Sequence, residues 1–349
     1  MKLVGAAAAV PKTIVKPSFA YEKFPQFDVD RIVGNTGVLQ KREAAPGTTA
    51  TDLCIAAAGP LLERLGWARD SVDAVILVTM LPDHYLPASS HRAHEQLGLS
   101  PRCLVFDINL GCSGFTHGLL VLDGLIASGV VKRALLLCGE VVTGAFKPRA
   151  ADLEHRSDLA NALLIGDAGT AVALSNEGKQ LKAARFGADG SGFQQIIVQG
   201  GGARCFIQPS LFERRQEEDE IRRPIDLTLK GPQILTFAMK QVPPLLDEVL
   251  AAAEWTRDEV DQFVFHQANK FMLNFLRTRM KVPAEKVPLS IEEFGNTSSA
   301  SIPLTMVVRG GEHLDKPTKW VLLGFGVGLS WSGVALETDS IITVPLVEV

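Results

Sequence analysis

The segment WARDSVDAVILV at residues 67–78 has a near copy, WTRDEVDQFVFH, at residues 255–266. Each copy follows an apolar stretch with helical spacing and ends in a short apolar run, so each is interpreted as a passage from a helix into a strand. Three more matched pairs follow in the same order, at offsets of about 160–190 residues: FDINLGCSGF with LSIEEFGNTSSA, RALLLCGE with KWVLLGFG, and AVALS with GVALE. This repetition predicts two related halves, residues 1–175 and 176–349.

Short apolar runs alternate with longer periodic segments along the chain, which is typical of α/β layers with buried sheets. The predicted strands cover residues 74–79, 103–108, 134–138, 168–174, 262–265, 320–323 and 333–336. The predicted helices cover residues 51–65, 113–128, 232–253 and 270–280. The apolar N-terminus is interpreted as a first strand rather than a signal peptide, because Pro11 ends the run early.

The composition is that of an ordinary soluble protein, with 46% hydrophobic and 21% charged residues among 349. A net charge of −4 gives no global electrostatic case for binding nucleic acid. No apolar run reaches the roughly 18–20 residues that a membrane span needs. The cysteines form no CxxC motif and no zinc-ligand spacing, so we expect reduced thiols, no metal and a cytoplasmic protein.

Cys112 lies between two glycines, after a predicted strand and at the start of a predicted helix. A free cysteine is most often a small apolar filler. At a helix N-terminus, however, unpaired N–H groups and the helix dipole favour the thiolate, and the flanking glycines permit close approach of a substrate. Cys112 is therefore a candidate nucleophile, and its own N–H is a candidate oxyanion donor.

His266 follows a predicted strand of the second half, and Asn296, which occupies the position that matches Cys112 in the repeat, is also interpreted as lying at a strand-to-helix or strand-end turn. Ligands of α/β sheets are bound at such turns. A lone histidine is more often structural, and a lone asparagine is as often a helix cap. Together with Cys112, however, a histidine and a neutral asparagine donor are suited to stabilising an enolate or oxyanion.

The glycine-rich segment LLGFGVGLSW at 322–331 superficially resembles a dinucleotide fingerprint. It lacks the third glycine of G-x-G-x-x-G and the acidic residue about 20 positions later. We interpret its backbone N–H groups as the lining of a thioester pocket.

Several motifs together resemble the ketoacyl-synthase III group of the thiolase superfamily, in the expected order and over nearly the whole chain. They are LGCSGF around Cys112, HQAN from His266, FGNTSSASIP around Asn296, GFGVGLSW at 324–331, TGVLQKR at 36–42, LPDHYLP at 81–87 and IGDAGTAVAL at 165–174. The resemblance implies a homodimer with a thiolase-like five-layer αβαβα sandwich of two pseudo-repeated halves.

The resemblance also implies a two-stage reaction of fatty-acid biosynthesis without a metal or redox cofactor. Cys112 takes an acyl group from an acyl thioester, commonly acyl-CoA. Malonyl-acyl carrier protein (malonyl-ACP) then loses CO₂, and its carbanion attacks the acyl-cysteine to give a 3-oxoacyl product. His266 and Asn296 are implied to bind the malonyl thioester oxygen. The backbone N–H groups of Cys112 and Val327 are implied to form a second oxyanion hole.

The chain departs from this pattern at the substrate entrance. Arg31 and Leu159 occupy the positions of a tryptophan and an arginine that usually sandwich the CoA adenine. Leu86 replaces a large aromatic residue at the acyl-pocket wall contributed by the dimer partner, so a longer or bulkier acyl chain is expected to fit. Basic residues after HQAN form either a solvated helix face or a carrier-protein docking site: Lys270, Arg277, Arg279, Lys281 and Lys286.

Alternatives stay open at this point. A member of the same group could serve specialised metabolism, by priming a polyketide, forming an aryl ketone or transferring an acyl group to a hydroxyl or amine. A cysteine hydrolase would require water at the acyl-enzyme. A non-enzymatic scaffold would require an unreactive Cys112.

Overall fold

The computed structural model describes residues 1–25, 28–145, 156–178, 180–217 and 220–349. Its strands are β1 (Lys2–Val10), β2 (Ile14–Val15), β3 (Lys41–Arg42), β4 (Ala74–Val78), β5 (Leu104–Ile108), β6 (Arg133–Glu140), β7 (Ala168–Ser175), β8 (Leu181–Ala188), β9 (Ile196–Ile197), β10 (Arg215–Glu217), β11 (Glu220–Arg222), β12 (Thr228–Leu229), β13 (Gln262–Phe265), β14 (Thr318–Gly326), β15 (Ser330–Thr338), β16 (Ile342–Thr343) and β17 (Val347–Glu348). Its helices are α1 (Ser18–Lys23), α2 (Val29–Thr36), α3 (Ala50–Leu65), α4 (Ser89–Gln96), α5 (Gly114–Ala127), α6 (Arg156–Leu164), α7 (Gly231–Ala253), α8 (Lys270–Arg279), α9 (Ile291–Phe294) and α10 (Ser301–Arg309). Every strand and helix predicted from the sequence is present, with ends that differ by at most three residues.

Two sheets organise the fold. The larger has the strand order β16-β1-β7-β6-β4-β5, with β17 also paired to β1, and the smaller has the order β13-β14-β15-β8. The series β1-β7-β6-β4 and β8-β15-β14-β13 show the same succession of antiparallel, antiparallel and parallel pairings. The repetition seen in the sequence is therefore also a repetition of strand order and direction.

The two sheets and the helices around them form five layers. Alternate strand residues point to opposite faces, so Leu77 of β4 packs with outer helix α3 whereas Ile76 points inward. In the smaller sheet, Phe265 packs with outer helices α7 and α8, and Val264 points inward. Helices α5 and α10 lie between the sheets and supply apolar residues to the inner core: Phe115, Leu119, Ile302 and Met306. The predicted αβαβα sandwich is confirmed.

Several elements were not predicted from the sequence, among them helices α1, α2, α4, α6, α9 and α10 and strand β8, and two of the differences have a physical reason. The last strands return to the larger sheet, where Gly5 pairs with Ile342 and Ala9 pairs with Val347. These strands are too short to show an alternating pattern. Helix α10 was not predicted because its start is rich in serine and contains Pro303, although proline is compatible with the first turn of a helix.

Candidate active site

Cys112 lies in the turn between β5 and α5, packed against the end of β14. A Cβ atom on Gly111 would lie 2.4 Å from Met80 Sδ, and one on Gly326 would lie 2.6 Å from Cys112 Sγ. Gly326 also has a φ of +156°, a conformation that favours glycine. Glycine at 326 therefore lets β14 approach the candidate nucleophile, and glycine at 111 leaves room for the Met80 side chain beside it.

The pKa of the Cys112 thiol is set by burial and by nearby polar groups. Burial raises this pKa above its usual value and outweighs the backbone of Val327, the Ser298 hydroxyl and the N–H of Cys112 itself, which act in the opposite direction. The expectation that the helix N-terminus would favour the thiolate overall is wrong for the substrate-free chain. Desolvation of a charge costs more here than these donors return.

His266 comes directly after β13 and is 2% exposed. Its Nδ1 lies 2.8 Å from Ser301 Oγ, and its ring meets that of Phe325 edge-on at 5.7 Å. Burial lowers the pKa of His266 to about 4, although the backbone of Ser298 acts in the opposite direction. His266 is therefore neutral at pH 7. The Ser301 hydroxyl has one hydrogen, which goes either to His266 Nδ1 or to the Ser298 carbonyl at 2.8 Å; in the tautomer that accepts it at Nδ1, Nε2 carries the ring proton and can donate to a substrate.

Asn296 is half-buried, and its amide group is oriented at both ends. Nδ2 donates to the Ala268 carbonyl at 3.3 Å, and Oδ1 accepts the Ser298 N–H at 2.9 Å. An amide nitrogen carries two hydrogens, so a second N–H of Asn296 is available for a substrate oxygen.

The backbone of Asn296 is fixed by the segment before β7. Asn296 N–H donates to the Leu164 carbonyl at 2.8 Å, and Gly166 N–H donates to the Asn296 carbonyl at 3.1 Å. A Cβ atom on Gly166 would lie 1.9 Å from the Phe294 carbonyl oxygen. The glycine of the IGDAG motif is therefore needed so that two chain segments can meet behind Asn296.

Two residues of this region were not singled out from the sequence. Ser298, which is 6% exposed, donates its N–H to Asn296 Oδ1, and its carbonyl accepts from the Ser301 hydroxyl that also contacts His266. Glu140, at the end of β6, is fully buried and accepts from the Met80 N–H at 3.2 Å and the Thr79 hydroxyl at 3.3 Å. Burial raises the Glu140 pKa to about 8. The serine-rich run after Asn296 is the only sequence signal for Ser298, and Glu140 had none.

The residues predicted at the substrate entrance lie outside this cluster. Leu86 is 86% exposed on the surface of its own chain. Arg31 is exposed on α2, and Leu159 is fully buried in a small core between α1, α2 and α6. Leu159 therefore packs inside the protein rather than against a ligand.

The five basic residues after HQAN have different surroundings. Lys270 pairs with Glu292 at 2.5 Å, Arg277 donates to the Val282 carbonyl at 3.4 Å, and Lys286 donates to the carbonyls of Asp258 and Val260. These three are bound within the chain. Arg279 and Lys281 are exposed.

A groove of about 720 Å³ lies between α2 and α8, and Arg279 lines it. Two half-exposed aromatic rings, Phe271 and Phe275, also line this groove. The surface around α8 is therefore more apolar than the basic residues alone suggested.

Within the part of the chain that the structure describes, no helix is long and apolar enough to span a membrane.

A five-layer fold of two matching sheets, with a cysteine and a histidine packed against the end of β14 and an asparagine held by neighbouring segments, defines a thiolase-like condensing enzyme. Two family models match the chain: 3-oxoacyl-[acyl-carrier-protein (ACP)] synthase III over residues 106–190, and the C-terminal part of the same family over residues 250–338. The chain belongs to the 3-oxoacyl-ACP synthase III family.

Individual relatives agree with this assignment over their full length. A beta-ketoacyl-ACP synthase III of Streptomyces coelicolor is 31% identical, with 97% of each chain covered. The crystal structure of a 3-oxoacyl-ACP synthase from Burkholderia xenovorans superposes with a TM-score of 0.90 at 36% identity, covering 100% of this chain and 97% of that one. The priming beta-ketosynthase of the R1128 polyketide pathway superposes with a TM-score of 0.83 at 26% identity, covering 98% and 97%.

Proposed function

We propose that this protein catalyses a decarboxylative Claisen condensation at Cys112. In the first stage the Cys112 sulfur attacks the carbonyl carbon of an acyl thioester. The new C–S bond replaces the old one, and the departing thiol, from CoA or a carrier protein, leaves with the proton of the cysteine. The backbone N–H groups of Cys112 and Val327 stabilise the negative oxygen of the tetrahedral intermediate.

In the second stage malonyl-ACP binds at the acylated enzyme. Its carboxylate leaves as CO₂, and the electron pair passes into an enolate whose oxygen accepts hydrogen bonds from His266 and Asn296. The enolate carbon then attacks the acyl group, a C–C bond forms, and Cys112 departs as a thiolate. The observation that carries this proposal is the pair of neutral donors, because neutral groups stabilise an enolate without protonating it. The reaction needs no resident metal or redox cofactor.

The proposed active unit is a cytoplasmic homodimer. Edge strand β5 pairs with β4 on one side, and Leu104 at its start is 41% exposed. An exposed apolar edge of this kind is suited to pairing with a second copy. Leu86 and Tyr85, 86% and 66% exposed, would then reach the partner's acyl pocket. The free cysteines agree with a reducing compartment.

The proposed carrier-protein surface is centred on α8. Arg279 and Lys281 supply exposed positive charge, and Phe271 and Phe275 supply apolar contact. A carrier protein presents acidic side chains and a phosphopantetheine phosphate, which are complementary to such a surface.

Mass spectrometry of the intact protein, incubated with a panel of acyl-CoAs and acyl-ACPs, tests the first stage. We expect a single acyl adduct on the wild type and none on Cys112→Ala, with Cys103→Ala as a matched control that keeps the adduct.

Release of labelled CO₂ from malonyl-ACP tests the second stage and separates condensation from acyl transfer and hydrolysis. Absence of an adduct with every thioester would contradict the role of Cys112.

A second candidate function is the priming of a polyketide or another specialised condensation. It is favoured by the surroundings of Leu159 and Arg31, which lack the residues expected to grip a CoA adenine, and by the similarity to the priming ketosynthase. The same panel separates the two candidates, because a priming enzyme would accept a carrier-bound or unusual acyl group in preference to acetyl-CoA.

A further inference from the structure

The turn between β14 and β15 carries Val327, one of the two proposed oxyanion donors. Gly326 pairs with Ser330 where the two strands meet, so residues 327–329 form the turn. A Cβ atom on Gly326 would lie 2.6 Å from Cys112 Sγ, which places the start of the turn against the nucleophile. The N–H of Val327 is on the next residue, so the position of this turn sets the distance from that N–H to a substrate oxygen.

Two buried hydroxyl groups connect the turn to the residue that follows the nucleophile. Ser330 Oγ donates to the Val327 carbonyl at 2.8 Å and lies 2.7 Å from Ser113 Oγ. A carbonyl oxygen only accepts and a hydroxyl has one hydrogen, so Ser330 donates to Val327 while Ser113 donates to Ser330. Ser330 is 7% exposed and Ser113 is completely buried, so this relay of two hydrogen bonds is shielded from water.

The turn needs such a contact because glycines flank Val327 on both sides. Gly326 has a φ of +156° and Gly328 has a φ of +139°, and glycine has the largest backbone freedom. Two backbone hydrogen bonds between Leu329 and Asp189 hold the far side of the turn. The Ser330 hydroxyl holds the side on which Val327 lies.

We propose that Ser330 and Ser113 are positioning residues of the oxyanion hole, whose hydroxyl relay fixes the Val327 N–H relative to the Cys112 N–H. This inference rests on the proposed function. Ser113 is bonded directly to Cys112 in the chain and Ser330 holds Val327, so one relay links both donors. An oxyanion hole stabilises charge only when its donors lie about 2.7–3.1 Å from the oxyanion. Displacement of one donor therefore slows acyl transfer without weakening the binding of the acyl donor.

Two reagents that modify the same sulfur test the proposal, because only one of them needs an oxyanion hole. p-Nitrophenyl acetate acylates Cys112 through a tetrahedral oxyanion: the C–S bond forms, the ester C–O bond breaks and p-nitrophenolate leaves. Iodoacetamide alkylates the sulfur by direct displacement of iodide, and no oxyanion forms. Both rates are followed on the Cys112 peptide by mass spectrometry, and their ratio reports on the oxyanion hole alone.

We expect Ser330→Ala to slow acylation about tenfold and to leave alkylation within about twofold of the wild type. Ser330→Thr keeps the hydroxyl and should restore acylation. Ser332→Ala is the matched control, because Ser332 is a similarly buried residue of β15 whose hydroxyl contacts Thr116 and His117 of α5. This variant should acylate like the wild type.

The double variant tests whether the two hydroxyls act as one relay. Ser113→Ala alone should slow acylation about threefold, and this effect should disappear when residue 330 is already alanine. Additive losses in the double variant would overturn the relay.

Equal acylation of Ser330→Ala and the wild type would also overturn the proposal. An equal loss of acylation and alkylation would overturn it as well, since it would indicate a general disturbance of the site. A protein whose acylation depends on Ser330, but which never releases CO₂ from malonyl-ACP, would refute the proposed condensation and support the role of Ser330.

Discussion

The centre of the site, around Cys112, His266 and Asn296, is buried or half-buried and tightly packed, whereas its rim, around Leu86, Arg279 and Lys281, is exposed. At the centre, Cys112 is packed against Gly326, His266 and the Asn296 amide have defined hydrogen-bond partners, and glycines at 166 and 326 allow chain segments to approach closely. At the rim, Leu86, Arg279 and Lys281 are exposed.

The difference indicates which properties the fold specifies tightly. A displacement of one atom at the centre changes several hydrogen bonds at once, because Asn296 and His266 are linked through Ser298 and Ser301. A substitution at the rim changes contacts with a partner and leaves the interior unaffected. We therefore expect chemistry to be sensitive at the centre and substrate choice to be adjustable at the rim.

The largest effect is expected for Asn296→Ala. Loss of one donor to a developing oxyanion typically lowers kcat by 10²–10³-fold, about 2.7–4 kcal/mol, and we expect a loss of that size in CO₂ release. Acylation of Cys112, which uses the other oxyanion hole, should continue and is measured by mass spectrometry on the same sample. An unchanged rate of CO₂ release would show that Asn296 does not stabilise the enolate.

A smaller effect is expected for Gly166→Ala, which forces a Cβ against the Phe294 carbonyl. Overpacking typically costs 1–3 kcal/mol of unfolding free energy, measured by denaturant titration. Gly124→Ala on α5 is the control, because a Cβ there meets nothing within 4 Å and alanine favours a helix. Equal stability of the two variants would contradict the tight contact behind Asn296.

A pH-dependent effect is expected from Glu140. Its folded pKa of about 8 exceeds the usual value of 4.5, so the folded state binds more protons and stability falls as pH rises toward 8. His266, with a folded pKa of about 4 and a usual value of 6.5, adds a rise in stability from pH 4 to 6.5. Between pH 6.5 and 8 we expect Glu140→Gln to remove a decline of up to about 1.4 kcal/mol per pH unit, measured by denaturant titration. Parallel wild-type and variant curves would refute the buried titration.

The smallest effect is expected at the rim. Arg279→Ala combined with Lys281→Ala should raise KM for malonyl-ACP a few-fold, under about 1 kcal/mol, and reduce its salt dependence, because exposed charges are screened. Lys182→Ala, a surface substitution on β8, is the control and should leave KM unchanged. An effect on kcat alone would place these two residues in the chemistry rather than in carrier binding.

Much of the fold could be predicted because strand and helix patterns repeat in both halves. Residues 74–78 and 262–265 lie in strands that occupy equivalent positions in their sheets, as the matched segments indicated. Cys112, His266 and Asn296 were predicted to lie at strand-end or strand-to-helix turns. Cys112 and His266 do follow β5 and β13, whereas Asn296 follows the short helix α9, and its backbone forms an isolated bridge with Ile165 instead. Their catalytic roles stay predictions.

The unpredicted residues depend on tertiary approach. The positive φ of Ser298 and the contact of its hydroxyl with Met80 Sδ arise only when distant segments of the chain meet. No local sequence pattern predicts them. Glu140 has the sequence context of an ordinary strand end and is buried by segments far along the chain. Lys270 and Lys286 looked available for a partner, but their carboxylate and carbonyl acceptors lie 22 to 28 residues away.

The pairing of β16 and β17 with β1 has a consequence for biosynthesis. Strand β1 is translated more than 300 residues before these neighbours and acquires them only after residues 342–348 have been made. Until then one edge of β1 is unpaired, and its free backbone N–H and C=O groups can pair wrongly with another nascent chain. Removing residues 342–348 should therefore lower the yield of native protein during synthesis strongly. The melting temperature of the molecules that do fold should fall only slightly.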